Sequence, residues 1–556
     1  MIHALLAAAG IGAFALSHPG LFSGSGIPLI AWIQYVPVLS LVARSRWRHV
    51  WLWGGAYGTG SFALYAFWMF RSHFIGFIVV ICSYFFFYAL LFLALKSTTV
   101  FFPRQWTLVA WLLIVSAEYI RTIGFLGFHY GVTGYTQWQF PRLISVSRIT
   151  GVWGVSALVI LCSVLVFRIG GSLYRAVADF SEQRFRQPFS DSAHGRCPET
   201  RWWHRAARSG KTVAREQGAL LALCALFVGA VWYAGRIPYQ SDEFPAVRVA
   251  AIQNNADPWL GGLSAYHADV ATLMEVTDRA LAADTAIRLV AWPETAVVPS
   301  VLLHYANRHD RGRFELVRQL LEYIDQKDAV FVIGNDHAEL DRDGRRTDYN
   351  SALVFTPRVN TVPPHPDRYT KQHLVPFTEY FPFPERFPWL YRKLRLGNTH
   401  LWTPGHECTV FHAAGLHFAT PICFEDTFGD DMRRMVLNGA RAFINLSNDA
   451  WSKSRACQNQ HVAMAVFRSV ENGVPTVRST ASGETCIIAP DGRIIERLPP
   501  FVAGSVIGDI PALPADMRLT FYTRRGDWFP HLCMLIIGVL GCGRGIAALV
   551  RKKRIR

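Results

Sequence analysis

Three strand ends in this chain carry reactive side chains. Leu289-Val290-Ala291-Trp292 reads as a buried strand and is followed by Pro293 and Glu294. A carboxylate in apolar surroundings has a raised pKa, which suits it to proton transfer. Lys371 lies in Tyr369-Thr370-Lys371-Gln372-His373-Leu374-Val375-Pro376-Phe377, where apolar and aromatic neighbours let its ammonium act as a fixed positive charge. Cys423 ends the run Thr420-Pro421-Ile422 and precedes Phe424, Glu425 and Asp426. A thiol on such a turn faces a pocket at the strand end and becomes a nucleophile once a base takes its proton. Singly, each has a plainer reading: a Glu after a strand, a surface lysine, an inert core cysteine. Together, base, cation and thiol outweigh those readings.

These side chains need strands to hold them. Val247 to Ile252, Leu289 to Trp292, Val330 to Gly334, Phe418 to Cys423 and Ala442 to Leu446 read as strands. Residues 264–283, 311–326 and 430–439 have helical spacing. The alternation predicts one layered α/β domain over residues 236–526. No CxxC occurs, so neither a zinc site nor a redox pair is expected, and no metal or cofactor is assigned. A disulfide among Cys408, Cys457 and Cys486 is possible, but its pairing is not readable.

The remainder is not soluble in character. The chain has 556 residues, 51% hydrophobic and only 17% charged, against about 25% charged in ordinary soluble domains. Apolar runs fall near 2–17, 28–43, 51–70, 74–95, 106–126, 152–167, 218–235 and 529–550, which predicts about eight membrane spans. Domains are therefore expected at 1–235 (seven spans), 236–526 (the α/β part) and 527–556 (last span and basic tail). The segment 187–200 is the best linker candidate.

The net charge of +16 suggests nucleic acid until it is located. Residues 236–526 carry 31 basic and 33 acidic side chains, so the basic excess lies in the apolar part. There it marks orientation: with the N-terminus inside, the inner loops hold Arg44, Arg46, Arg48, Lys96, Arg104, ten more basic residues from Arg168 to Arg215, and the tail Arg551 to Arg556. The α/β part is then outside the cytoplasm and the C-terminus inside. Nucleic acid is not expected as a partner. Glu118 and Arg121, inside an apolar run, read as a local i,i+3 pair at a helix end.

Pro-Glu after a strand, Lys371 and then Cys-aromatic-Glu resemble the Glu–Lys–Cys triad of the nitrilase superfamily. Asn445-Leu446-Ser447-Asn448-Asp449-Ala450-Trp451, then Arg468, Glu471, Gly473, Pro475 and Arg478, and Asp491-Gly492 extend the likeness. Such a domain between a penultimate and a last span resembles the apolipoprotein N-acyltransferases. So do Ala117-Glu118-Tyr119-Ile120-Arg121, Gly134-Tyr135-Thr136-Gln137 and Gly151-Val152-Trp153-Gly154. Departures occur at Trp451-Ser452-Lys453, at Arg478 to Gly483 and in the shortened Gln253 to Trp259 segment.

The resemblance implies an αββα sandwich and a ping-pong acyl transfer at a bacterial inner membrane. Glu294 deprotonates Cys423, whose thiolate takes a fatty acyl group from a phospholipid. Lys371 and the backbone N–H of Phe424 face the oxyanion. The α-amine of a diacylglyceryl-Cys apolipoprotein then takes the acyl group. Glu379 supports Lys371, and Glu425 acts similarly or caps the turn. Trp259 and Trp451 are expected to contact substrate, and a monomer is expected. Residues 377–402, rich in aromatic and basic residues with Pro382, Pro384 and Pro388, read as a lipid-facing arm with Phe381 and Phe383 as contacts. A water-using membrane-anchored amidase and a non-catalytic scaffold are the alternatives.

Overall fold

The computed structural model describes residues 1–124, 127–186, 217–218, 220–236, 243–257, 260–386, 388–395 and 401–555. The linker candidate 187–200 and Trp259 lie outside them.

Among the described residues, each of the eight apolar runs contains helix. Among the described residues, three helical stretches are long and apolar enough to cross a membrane: Phe74–Phe101, Val152–Ser172 and Trp528–Gly545. Ile2–Ser17, Pro28–Arg44, Trp106–Ile120 and Leu220–Ala234 are shorter apolar helices. The helix Trp47–Tyr65 packs on Phe74–Phe101 through glycines. A Cβ at Gly54 or Gly58 would collide with the backbone oxygen of Tyr88 or Tyr84. Small residues permit this backbone approach between apolar helices.

Glu118 and Arg121 do not form the expected local pair. Glu118 accepts from Tyr35 Oη at 3.1 Å and from the backbone N–H and hydroxyl of Thr133. Arg121 donates to Tyr84 Oη at 3.0 Å and to the carbonyls of Phe128 and Tyr130. Both are buried, and each finds its partners on other segments. The pair thus fastens residues 128–133 to three helices.

Residues 246–511 form two six-stranded sheets, ordered β12-β1-β2-β3-β4-β5 and β11-β10-β9-β8-β7-β6. In the first are β1 (Ala246–Gln253), β2 (Leu289–Ala291), β3 (Val330–Leu340), β4 (Arg346–Phe355), β5 (Asp367–Thr370) and β12 (Gly504–Pro511). In the second are β6 (Phe411–Ala413), β7 (Leu416–Ala419), β8 (Ala442–Ser447), β9 (Thr476–Thr480), β10 (Thr485–Ile488) and β11 (Ile494–Leu498). Strands β1, β2 and β3 are parallel, as are β7, β8 and β9.

The period-2 pattern of β1 explains its central place. Val249 and Ala251 join the core between the sheets, with Phe418, Phe443 and Val477. Ala250 and Ile252 face the helices Leu263–Ala283 and Arg311–Asp325. A strand covered on both faces reads as a continuous apolar run. The second sheet is covered by the helix Arg455–Asn472, whose Val462, Val466 and Val470 share a core with the apolar helices of the N-terminal part. The layers are therefore αββα, and one outer layer is wedged against the apolar helices.

Candidate active site

The parallel strands β2 and β7 run out toward one cavity, as ligand sites of α/β sheets do. After β2 the chain turns at Pro293 and offers Glu294. Gly334 of β3 makes room for it: a Cβ there would lie 2.7 Å from Glu294 Cα and 2.5 Å from Thr295 N. Glu294 Oε1 accepts from Asn350 Nδ2 of β4 at 2.8 Å and from Lys371 Nζ at 2.9 Å. Lys371 follows β5 and is held through its backbone, N–H to Asn350 O and C=O from Gly405 N, both 2.8 Å. Its Nζ donates also to Glu379 Oε1 at 2.7 Å, and Glu379 Oε2 accepts from Val375 N at 2.9 Å.

Lys371 is 0% exposed. Burial opposes its charge, but Glu294 and Glu379 outweigh burial and raise its pKa well above the ordinary lysine value. Glu379 is raised by burial, against the pull of Lys371. Cys423, 6% exposed, is pushed well up by burial and by Glu294, against Lys371. The resting thiol is thus protonated, and a base must take its proton during attack.

Cys423 has φ +50, in the left-handed region. A non-glycine residue there costs about 1–2 kcal/mol and persists only where its surroundings hold it. Adjacent carboxylates hold this turn from opposite sides. Glu425 accepts from Ile422 N at 2.8 Å, Gln372 N at 2.7 Å, His373 N at 3.2 Å and Tyr369 Oη at 2.8 Å. It ties the cysteine turn to the lysine segment. Asp426 points the other way, to Arg478 Nη1 at 2.5 Å and His461 Nε2 at 2.7 Å.

The cavity has a volume of about 1440 Å³, above the roughly 300–1,000 Å³ of ordinary small-ligand pockets. Glu294, Glu379, Cys423, Phe424, Asp449 and Trp451 line one side, and Trp68, His73, Phe74, Val79, Tyr84 and Tyr119 of the apolar helices line another. Trp451 stands 5.5 Å from Trp68 and 4.9 Å from His73 between ring centroids. Phe381 is 7% exposed, packed on Phe377 and Tyr391, and Phe383 is 56% exposed; neither lines the cavity. The two halves are pinned together beside it. Gln460 Nε2 donates to Pro19 O at 2.7 Å, Trp68 Nε1 to Gln460 Oε1 at 3.0 Å, and Val152 N to Glu471 Oε1 at 2.9 Å.

Asn350 and His461 carry no local pattern in the sequence, and Gly334, read there only as the end of a strand, lies within β3, which runs on to Leu340. The described cysteines are all free, Cys408, Cys457 and Cys486 included. Among the described residues, no group of three or more metal-ligating side chains assembles.

Two facing sheets with Glu, Lys and Cys gathered at strand ends define a carbon–nitrogen hydrolase domain, here joined to a set of apolar helices. Residues 248–517 match the carbon-nitrogen hydrolase family, and residues 12–165 match the apolipoprotein N-acyltransferase N-terminal domain. Apolipoprotein N-acyltransferase 1 of Treponema denticola is 35% identical, covering 100% of this chain and 98% of its own. Its counterpart in Treponema pallidum is 40% identical over 91% of this chain and 89% of its own. A solved structure, Saccharomyces cerevisiae Nit3 of the nitrilase superfamily, aligns with 50% of this chain and 94% of its own at 16% identity, TM-score 0.36. The chain belongs to the apolipoprotein N-acyltransferase family.

Proposed function

We propose that this protein moves a fatty acyl group from a membrane phospholipid, through a thioester on Cys423, to the N-terminal amine of a diacylglyceryl-Cys apolipoprotein. The observation that carries it is the single cavity shared by Cys423, Glu294 and the apolar helices. Its volume suits a long-chain lipid, whereas a small soluble amide needs no such wall. Glu294 takes the thiol proton as Sγ attacks the ester carbonyl. Lys371 Nζ and the N–H of Phe424 receive the oxyanion, and the lysophospholipid leaves with the proton returned by Glu294. The acceptor amine then attacks the thioester carbonyl and the C–S bond breaks; Glu294 takes the amine proton and passes it to the departing Cys423 sulfur, so the amide product leaves and thiol and carboxylate are restored. Glu379 holds Lys371 in place.

The test is the mass of the Cys423 peptide after incubation with phospholipid vesicles. An added fatty acyl group, released by a diacylated lipopeptide amine, is expected. Hydrolysis of a small amide without acyl retention from lipid selects the amidase, and an unmodified thiol with no turnover selects the scaffold.

Gly334→Ala is expected to push Glu294 off its position and slow Cys423 acylation by about 10²-fold. Single-turnover acylation measures this, and a parental rate contradicts the placement of the base.

In our reading the apolar helices make eight spans in a bacterial inner membrane, with the domain boundaries 1–235, 236–526 and 527–556. The α/β domain is periplasmic, the C-terminus cytoplasmic, and the protein monomeric. A reporter fused after Arg556 is expected to be active only on the cytoplasmic side; activity only on the outer side overturns the orientation. Residues 377–402, of which 387 and 396–400 lie outside the described residues, act as a lipid-facing arm, with Phe383 and Trp389 among its exposed aromatics. Phe383→Ser is expected to lower turnover of vesicle-embedded donors several-fold more than turnover of short soluble esters, and equal losses refute the arm.

A further inference from the structure

The two carboxylates after Cys423 have different tasks. Glu425 is satisfied by four donors of the lysine segment and the turn itself. Asp426 instead enters a buried ring with Arg478, Asp449 and His461, which no step of the proposed reaction uses. Arg478 Nη1 donates to Asp426 Oδ2 at 2.5 Å, and Nη2 to Asp449 Oδ2 at 3.0 Å. His461 Nε2 stands 2.7 Å from Asp426 Oδ1 and 3.3 Å from Cys423 O, and its Nδ1 stands 2.9 Å from Asp449 Oδ1.

Both carboxylates accept from Arg478 and stand toward it and the imidazole as acceptors. An imidazole with a carboxylate at each nitrogen must then carry both protons. Nδ1 also lies 2.8 Å from Arg478 Nη2. Read alone, that contact would suit a neutral ring accepting from Arg478. We assign it differently, because the two protons of Arg478 Nη2 have other acceptors, Asp449 Oδ2 at 3.0 Å and Ser447 Oγ at 3.3 Å, while Nδ1 has its own oxygen of Asp449. The ring then balances: Arg478 and His461 positive, Asp426 and Asp449 negative.

We infer that His461, as a cation, is a positioning residue that clamps the strained Cys423 turn from below, through Asp426 and the Cys423 carbonyl. The inference rests on the reading of Cys423 as the nucleophile. Its charge state agrees: burial and Arg478 lower the His461 pKa, but Asp426 and Asp449 outweigh them and raise it to about 9. Burial acts to raise Asp449, but His461 and Arg478 hold it down at about 2. The other ionisable groups beside the ring, among the described residues, are Tyr130, at 6.5 Å between ring centroids, the thiols of Cys423, Cys457 and Cys486, and Glu484. With the folded value above the free value of about 6.5, the clamp's contribution is complete below that pH and is lost as pH rises through about 9.

The test uses the full chain in vesicles. Nitrogen NMR of labelled His461 in the parent is expected to show both ring nitrogens protonated near neutral pH; a neutral tautomer overturns the inference. His461→Gln is expected to slow Cys423 acylation by about 10–100-fold near neutral pH, and to lower thermal stability. Both gaps to the parent should close as pH approaches about 10. A gap that is the same at every pH marks a merely steric role and refutes the cation. If the NMR and the stability gap behave as expected while even the parent takes no acyl group from phospholipid, the clamp stands and the acyl-transfer reading fails.

Discussion

Cys423→Ala is expected to abolish acyl transfer, by at least about 10³-fold, while the protein stays folded and membrane-inserted. Among the described residues the thiol makes no hydrogen bond that the fold needs, and the turn around it is held by Glu425 and Asp426 rather than by sulfur. Alanine meets the same steric objection at φ +50 as cysteine does, so the strain is unchanged. Cys423→Ser is expected to be nearly as inactive, since a hydroxyl is a much weaker nucleophile and Glu294 is a weak base for it. Lysophospholipid release measures both variants. Appreciable turnover by the alanine variant ends the covalent mechanism.

Lys371→Met is expected to lose both activity and stability. It leaves Glu294 and Glu379 buried without the cation that both contact. Breaking a buried ion pair from one side costs about 3–5 kcal/mol. Loss of an oxyanion donor alone costs roughly 10²–10³ in rate, and here the base loses a holder as well. The two effects separate in a second variant. Lys371→Met combined with Glu379→Gln removes one buried charge and is expected to recover much of the stability but none of the acylation rate. Thermal unfolding and single-turnover acylation read the two quantities. If the double variant regains the parental acylation rate, Lys371 is only a structural counter-ion.

Much of the site was legible because its parts follow local rules. Glu294 and Cys423 sit at the ends of apolar runs, and Lys371 stands among apolar and aromatic neighbours; strand ends are readable from period and composition. The apolar runs and the placement of basic residues were legible for the same reason, since hydropathy is a property of consecutive residues. The resemblance to a known family then joined three separated signals that singly meant little. Legibility stopped where partners come from afar. Glu118 and Arg121 have the spacing of a helical pair, yet each takes its hydrogen-bond partners from other segments. Spacing only makes a local pair available; packing decides whether a better partner is nearer.

The sequence by itself determined that an α/β unit would interrupt a row of apolar helices, and which acid, amine and thiol it carried, because periodicity and side-chain chemistry are local. Only the tertiary structure decided that Asn350 and Gly334 would shape the seat of Glu294, that Glu425 and Asp426 would part to opposite sides, and that His461 would lie beneath the nucleophile. It also decided that the helix Arg455–Asn472 would face the membrane helices and so open the cavity onto them. These are contacts between residues tens to hundreds of positions apart. The packing of whole layers selects them, and no stretch of chain records that selection.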